Sequence, residues 1–194
     1  HLFKKSKKYA YLQKKYYTPS KKGENIPLPT TENFNISPYD KIVKKYAKNS
    51  EIDWRLILSI MYQESKFIPG LSGMGNSFGL MQFMPSTGAK YNVSASSSDE
   101  EQIKAAIKHL QVILNLFPEI ENSEDKFKVM CASYNAGAGH IKDAQRLCEK
   151  YGKNPLLWKD IAEFLILKEK KQYYQDEVVQ NGYYYGNHTV KYVE

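Results

Sequence analysis

Apolar residues recur at steps of three and four along much of the chain, the spacing that places them on one face of an α-helix. Alternation with a period of two, which is typical of strands, is nearly absent, and no segment repeats another. The clearest helix begins at Asp99 and is bounded by Pro118. Its apolar stripe consists of Ile103, Ala106, Ile107, Leu110, Ile113, Leu114 and Phe117. The pattern therefore predicts a mainly α body.

Start and stop signals predict the other helices. Ser37 as the N-cap, with Pro38 at the first helical position and Asp40 in the first turn, begins a helix that ends near residue 48. Gly137 and Gly139 are expected to break the chain between two later helices. The later helical segments cover about residues 53–67, 85–91, 127–134, 141–148 and, in one or two pieces, 158–179. A stop signal at Pro69 and Gly70 ends the first of these.

The formal net charge of +7 is concentrated at one end of the chain. The first 22 residues contain eight lysines and no acid, which leaves 20 basic and 21 acidic residues, a net charge of −1, in the rest. Tyrosines alternate with these lysines, a combination that nucleic-acid-binding segments share. Only two arginines occur in the whole chain, although arginine is the preferred reader of phosphates and base edges. We therefore favour a solvated arm and expect no nucleic-acid partner.

Composition divides the chain into three parts. Residues 1–17 are predicted to be a basic arm. Residues 18–36 are rich in Pro, Thr, Asn and Lys without any period, which predicts a linker. Residues 37–194 then form the helical domain. No apolar run approaches the ~18 residues that a membrane span needs.

The two cysteines, Cys131 and Cys148, are too few for a disulfide-rich scaffold or a four-cysteine zinc site. They fit either one disulfide or two buried thiols, and we favour the thiols because Cys packs as a small hydrophobe. The four histidines show no ligand spacing, so neither a metal nor a cofactor is expected.

Glu64 interrupts the apolar stripe of the second helix. Its spacing from Ile57 and Met61 turns the carboxylate toward the packed side of the helix. Burial and the negative end of the helix dipole both raise the pKa of a carboxyl group in that place, which favours a proton donor at neutral pH. On position alone, a Glu that reaches solvent or pairs with Lys66 or Arg55 is an equally good interpretation.

Four short segments occur in one order: QES at 63–65, GLMQFMP at 79–85, ASYNAG at 132–137 and TVKYV at 189–193. This set resembles the catalytic domain of bacterial lytic transglycosylases of the Slt type, glycoside hydrolase family 23. Two more segments, ISPYD at 36–40 and GHIKDA at 139–144, are similar to a membrane-bound branch of that family. The resemblance covers about residues 36–194, and it also implies that the basic arm, residues 1–17, is the tail of a domain ahead of this chain. It implies a mainly α, lysozyme-like domain of the goose-type lysozyme kind, with a cleft.

The resemblance also implies the site. Glu64 is the sole catalytic acid and base. The implied substrate-binding residues are Ser65, Ser72, Ser77, Gln82, Met84, Tyr134, Asn135 and Tyr192. Two positions depart from the family pattern. Gly73 replaces a serine that orients the catalytic Glu, a role that Ser72 or Ser77 can substitute, and His188 replaces a Glu four residues before Tyr192.

An ordinary glycosidase uses two carboxylates. The sequence offers no convincing second one, since Asp53 lies about 16 Å from Glu64 along the same helix. The resemblance implies that Glu64 protonates the β-1,4 oxygen between N-acetylmuramic acid and N-acetylglucosamine. The resulting carboxylate then deprotonates the muramyl O6, which closes a 1,6-anhydro ring.

Three other functions remain open from the sequence: a hydrolytic muramidase, in which water replaces O6; a peptidoglycan-binding module with impaired catalysis; and a nucleic-acid-binding protein, which the net charge of −1 outside the arm disfavours. The resemblance implies peptidoglycan strands as the partner and the periplasm or cell envelope as the location, with attachment to the outer membrane in the full-length protein. Membrane contact is expected only through parts outside this chain. We expect the chain to act as a monomer.

Overall fold

The computed structural model describes residues 35–194, so the predicted basic arm and all but the last two residues of the predicted linker lie outside the described residues. Within this part the regular structure is helical, with only isolated β-bridges at Ser72–Phe78 and Phe78–Phe83. The helices are α1 Asp40–Ala47, α2 Trp54–Ser65, α3 Pro85–Ala89, α4 Asp99–Leu114, α5 Ser123–Ala136, α6 Ala138–Lys150, α7 Trp158–Leu167, α8 Lys171–Tyr174 and α9 Gly186–Val193, with a 3₁₀ turn at Met74–Asn76. The predicted mainly α class is confirmed.

The chain divides within α4 into two compact units, the first ending at Gln111 and the second covering Val112–Glu194. Every residue of the stripe predicted for α4 is buried. The helix ends at Leu114, however, four residues before Pro118, so Pro118 does not itself end it. Across residues 35–194, no helix combines the length and the apolar character that a bilayer crossing requires.

The first helix begins at Asp40 and not at Pro38. The buried Asp40 carboxylate accepts hydrogen bonds from the backbone N–H groups of Ile36 and Ser37, both at 2.7 Å, and from the Ser37 hydroxyl at 2.8 Å. Ser37 Oγ accepts in turn from the Tyr39 N–H at 3.1 Å. The prediction of Ser37 as N-cap was wrong because Asp40 closes a tight turn onto the residues before it, and the helix starts only after that turn.

A single glycine separates α5 from α6. Gly137 has φ +87°, a conformation that residues with a side chain rarely adopt, and it forms the junction. Gly139 continues α6, so the prediction that it also breaks the helix was wrong. Gly139 instead allows the Asn181 side chain to approach the helix closely, since a Cβ on residue 139 would lie 2.6 Å from Asn181 Oδ1. Asn181 Nδ2 donates to the Gly139 carbonyl at 3.0 Å.

An ion pair without solvent exposure joins α6 to the end of α7. Lys168 Nζ donates to Asp143 Oδ2 at 2.6 Å, and both side chains are 0% exposed. Burial by itself raises the pKa of the Asp143 carboxyl, but hydrogen bonds from Lys168 and from two backbone N–H groups outweigh it and hold the pKa below its ordinary value. The stabilisation is therefore present above the unfolded pKa and is lost as the pH falls through the lowered one.

The same carboxylate fastens the segment that precedes α9. The backbone N–H groups of Gln180 and Asn181 donate to Asp143 at 2.9 and 3.0 Å. Arg146 pairs with Asp143 and donates from Nε to the Val178 carbonyl at 2.6 Å. Asp143 thus has cationic and backbone donors around both oxygens, which is the condition under which a buried charge is stable.

Cys131 and Cys148 are both free and buried. The prediction of two buried thiols is thereby confirmed. Burial raises the pKa of each thiol to about 12. Both groups stay protonated and unreactive at neutral pH, because the thiolate is the reactive form.

We expect Lys168→Ala to lower the free energy of unfolding by about 3–5 kcal/mol, because Asp143 would remain buried without its main cation. Urea denaturation followed by circular dichroism measures the loss. Lys159→Ala is the control: it removes an exposed lysine of α7 and should change the free energy by less than about 0.5 kcal/mol. Equal, small effects of the two changes would contradict a stabilising role for the ion pair.

We expect neither cysteine to react with iodoacetamide in the native protein at neutral pH, and both to react after unfolding in urea without a reducing agent. Mass spectrometry of the intact chain counts the added groups. Two additions after unfolding indicate free thiols, whereas no addition until a reductant is present would indicate a disulfide instead.

Candidate active site

Glu64 is the penultimate residue of α2 and is half-buried. The buried side of this helix includes Ile57 and Met61, so Glu64 lies at the edge of the apolar face, neither enclosed nor fully in solvent. Its carboxylate is near the C-terminal end of the helix, where the dipole disfavours a negative charge. Ser65 is buried, and its hydroxyl donates to the Met61 carbonyl at 3.2 Å within the same helix.

The backbone directly after Glu64 is strained. Lys66 and Phe67 have φ of +55° and +64°, the left-handed region that bulky residues avoid. This pair, and not the predicted stop at Pro69 and Gly70, ends α2 at Ser65. Five non-glycine residues of the described part have positive φ, and four of them lie between residues 66 and 82. Such strain costs about 1–3 kcal/mol per residue and clusters at functional sites.

Gln82 holds together the loop that follows. Its Nε2 donates to the carbonyls of Leu71 and Gly79 at 2.9 and 2.8 Å, and its Oε1 accepts from Ser77 Oγ at 2.8 Å. Gln82 itself has φ +47°. The structure thus brings two predicted site residues, Ser77 and Gln82, into contact, and their hydrogen bonds are made to the loop and to each other.

Two of the three glycines of this loop, Gly73 and Gly79, allow polar side chains to approach the backbone closely. Gly79 has φ +75°, and a Cβ there would lie 1.7 Å from Oε1 of the buried Gln102. At Gly73, a Cβ would lie 2.1 Å from Gln82 Oε1 and 2.5 Å from Ser77 Oγ. The Ser77 hydroxyl therefore occupies the space that the serine expected at position 73 would need. Ser72 is exposed.

Apolar side chains anchor the loop, and a thioether remains on its surface. Phe78 and Phe83 exchange backbone hydrogen bonds at 3.0 Å, and Leu80 and Met81 between them are fully buried. Met84, at the N-cap of α3, is 45% exposed. The predicted site residue Met84 therefore offers an accessible apolar surface.

The second unit contains the other predicted site residues. Tyr134 is half-buried near the end of α5, and Tyr192 is buried on α9, which packs against α5 and α7. Asn135 Oδ1 accepts a hydrogen bond from Thr189 Oγ1 at 2.6 Å. His188, the second departure from the family pattern, is exposed on α9.

Thr189 is a residue that the sequence reasoning missed. It is fully buried and touches a predicted site residue directly. Its position three residues before Tyr192 puts both on one face of α9, and that spacing is the signal that could have identified it. For metals, the described residues contain no group of three or more His, Cys, Asp or Glu side chains that could hold an ion.

Residues 41–157, more than half of the chain, match the family described as Transglycosylase SLT domain. This chain belongs to the SLT family. The membrane-bound lytic murein transglycosylase F of Shewanella woodyi is 32% identical to it over 189 residues, 95% of this chain and 38% of that protein. The protein of the same name from Desulfosudis oleivorans is 33% identical over 153 residues, 79% of this chain and 33% of that protein. The predicted family is confirmed.

This SLT-family chain spans only about two fifths of the length of such relatives, or less. Among solved structures, the lytic transglycosylase Slt of Pseudomonas aeruginosa matches 76% of this chain and 26% of its own length, at 18% identity and a TM-score of 0.46. The family match includes Glu64, Gln82, Tyr134 and Asn135 and ends before Tyr192. The C-terminal helix α9 of this SLT-family chain therefore lies beyond the matched segment.

We expect Gln82→Glu to open the loop of residues 71–83, because a carboxylate cannot donate to the Leu71 and Gly79 carbonyls. Each unsatisfied buried group costs about 1–3 kcal/mol, so amide hydrogen exchange in this loop should accelerate by roughly 10- to 100-fold. Exchange followed by mass spectrometry measures it. Gln172→Glu, on the exposed face of α8, should leave exchange unchanged. Unaltered exchange in Gln82→Glu would show that these hydrogen bonds do not hold the loop.

Proposed function

We propose that this chain is a lytic transglycosylase that cleaves the β-1,4 bond between N-acetylmuramic acid and N-acetylglucosamine of peptidoglycan, with Glu64 as the sole acid and base. The observation that carries the proposal is the place of Glu64, half-buried in the last turn of α2 and directly ahead of strained backbone, within a segment that matches the SLT family. The first step needs a proton on the Glu64 carboxyl, and the position at the end of α2 places that group near the negative end of the helix dipole.

The first unit supports a mechanism with a single acid, because its other carboxylates within residues 35–111 are engaged elsewhere, apart from Glu51, which is exposed. Asp53 caps the opposite end of α2 and pairs with Arg55 at 2.8 Å. At about 1.5 Å per residue, it lies some 16 Å from Glu64, beyond the separation that either two-carboxylate mechanism uses. The remaining engaged carboxylates are Asp40, Asp99, Glu100 and Glu101.

In the proposed reaction, Glu64 gives its proton to the glycosidic oxygen as the bond from that oxygen to C1 of N-acetylmuramic acid breaks. N-acetylglucosamine leaves as the alcohol. The Glu64 carboxylate then takes the proton of the muramyl O6 while O6 bonds to C1, which closes the 1,6-anhydro ring and restores the acid. No water is consumed, so the substrate itself supplies the nucleophile that a second carboxylate or water supplies elsewhere.

The proposed substrate-binding residues fall into two roles. Met84 covers the apolar face of a sugar ring with its exposed thioether, and Ser72 offers an exposed hydroxyl. In the second unit, Tyr134, Asn135 and Tyr192 supply phenol and amide groups for glycan hydroxyl and acetamido oxygens. Ser65, Ser77 and Gln82 act indirectly, since their polar groups bond to α2 and to the loop.

The proposed setting is the periplasm or cell envelope, where peptidoglycan strands are the partner. Relatives that share most of this chain's length are named membrane-bound lytic murein transglycosylase F, which supports a location at the envelope. Attachment to the outer membrane is proposed to act through parts outside this chain. The proposal assigns every role to one copy of the chain, so it acts as a monomer.

We expect Glu64→Gln to lower turnover of purified peptidoglycan sacculi by at least about 10²- to 10⁴-fold, because the amide cannot donate or accept the proton. Glu51→Gln, which neutralises an exposed glutamate of the same unit, should retain wild-type turnover. Released soluble muropeptides are quantified by liquid chromatography and mass spectrometry.

The same experiment separates the proposed transglycosylase from a muramidase and from a binding module. Muropeptides that end in 1,6-anhydromuramic acid support the proposal, and products with reducing ends would replace it with a muramidase. An inactive wild type that still binds sacculi would indicate a binding module. Undiminished turnover by Glu64→Gln would remove Glu64 from the chemistry altogether.

A further inference from the structure

Three side chains of the second unit form a hydrogen-bonded chain that ends on Asn135. Thr189 Oγ1 lies 2.6 Å from Asn135 Oδ1 and 2.6 Å from the Tyr184 hydroxyl. The amide oxygen can only accept, so the single hydroxyl proton of Thr189 points to Asn135. Tyr184 must therefore donate to Thr189. With Asn135 Oδ1 as the acceptor, both hydroxyl protons are directed along this chain of bonds, and the Nδ2 group of Asn135, with its two N–H donors, takes no part in it.

The first turn of α9 fixes the position of Thr189. A Cβ on Gly186 would lie 2.1 Å from the Leu165 carbonyl oxygen, so the helix begins in backbone contact with α7. Asn187 donates from Nδ2 to Glu169 Oε1 at 2.7 Å, and its backbone N–H donates to the same oxygen at 3.3 Å. With the first turn fixed at two points, the backbone of the fully buried Thr189 is held beside Asn135.

Tyr184 is held by the buried ion pair. Its ring stacks on His140 with centroids 4.3 Å apart and an interplanar angle of 28°. Lys168, the partner of Asp143, lies with Nζ 3.0 Å from His140 Nδ1 and donates to it, so the ring proton is on Nε2. Burial, together with the charge of Lys168, lowers the pKa of His140, which keeps the ring neutral beside that cation. The phenol that orients Thr189 is thus connected to the most buried charges of the unit.

We propose that Thr189 and Tyr184 are positioning residues that lock the Asn135 amide with its oxygen occupied and its Nδ2 presented as a donor, so that the site selects an acceptor oxygen on the glycan, such as an acetamido carbonyl. An unfixed amide can rotate and offer either its oxygen or its nitrogen. A fixed one rejects ligands that offer only a donor at that point, because the N–H groups would then lack a partner. The inference rests on the glycan-binding role proposed for Asn135.

The test is a double-mutant cycle measured as binding. The probe is the β-1,4-linked tetramer of N-acetylglucosamine, its dissociation constant measured by isothermal titration calorimetry with the Glu64→Gln protein, so that no product forms. Thr189→Val keeps the shape of the side chain and removes its donor, and it should weaken binding by about 3- to 10-fold. Thr189→Ser restores the donor and should return the constant to within twofold. Tyr184→Phe leaves the bond from Thr189 in place and should weaken binding by less than Thr189→Val.

The double-mutant cycle shows whether Thr189 affects glycan binding through Asn135. In an Asn135→Ala background, Thr189→Val should cause no further loss, because Thr189 acts through Asn135. Additive losses, or a failure of Thr189→Ser to rescue, would assign Thr189 a merely structural role and overturn the inference. So would an unchanged constant in Thr189→Val.

A failure here is distinct from a failure of the proposed function. If Asn135→Ala leaves tetramer binding unchanged while Glu64→Gln abolishes turnover, the positioning inference falls and the transglycosylase proposal stands. If turnover survives Glu64→Gln, the proposed catalytic role falls, and the binding cycle still reports on Thr189. Thermal unfolding of Thr189→Val and Thr189→Ser within a few degrees of each other shows that lost affinity does not arise from unfolding.

Discussion

The ion pair between Asp143 and Lys168 is the interaction on which the second unit depends. Two opposite charges without solvent exposure are stable only if each is fully hydrogen-bonded, and here the backbone of residues 180 and 181 supplies part of that requirement. The pair therefore fixes a segment that has no regular structure of its own. Through the His140 ring and the aromatic side chain stacked on it, the same pair reaches the helix that contacts Asn135.

In the first unit, strained backbone follows Glu64, and the next loop is held by a neutral group. Its loop has an amide at the centre instead, since Gln82 satisfies two carbonyls and one hydroxyl at once. A neutral amide costs less to enclose than a carboxylate does. Gly73 is consistent with this arrangement of the loop, because Ser77 and Gln82 fill the space that a side chain at position 73 would need.

The match to the SLT family covers only some of the residues proposed to act in the site. The match to the SLT family spans Glu64 and the residues around Asn135, yet it ends before α9, where Thr189 and Tyr192 lie. Thr189, which bonds to Asn135, therefore lies on a helix outside the matched segment. A residue such as Thr189, which acts through a neighbour, gives no chemical signal of its own in the sequence.

The sequence alone determined the helices and the candidate residues, because a period of 3.6 residues and short ordered motifs are local properties of a chain. It predicted the buried stripe of α4, the break at Gly137 and the end-of-helix place of Glu64. It misplaced the start of α1, where the Asp40 side chain bonds to the backbone three residues before it. It also misplaced the break at Gly139, where the side chain of Asn181, 42 residues further along the chain, packs closely against the backbone. Only the tertiary structure decided which polar groups meet, since hydrogen bonds between residues far apart in sequence leave no periodic trace.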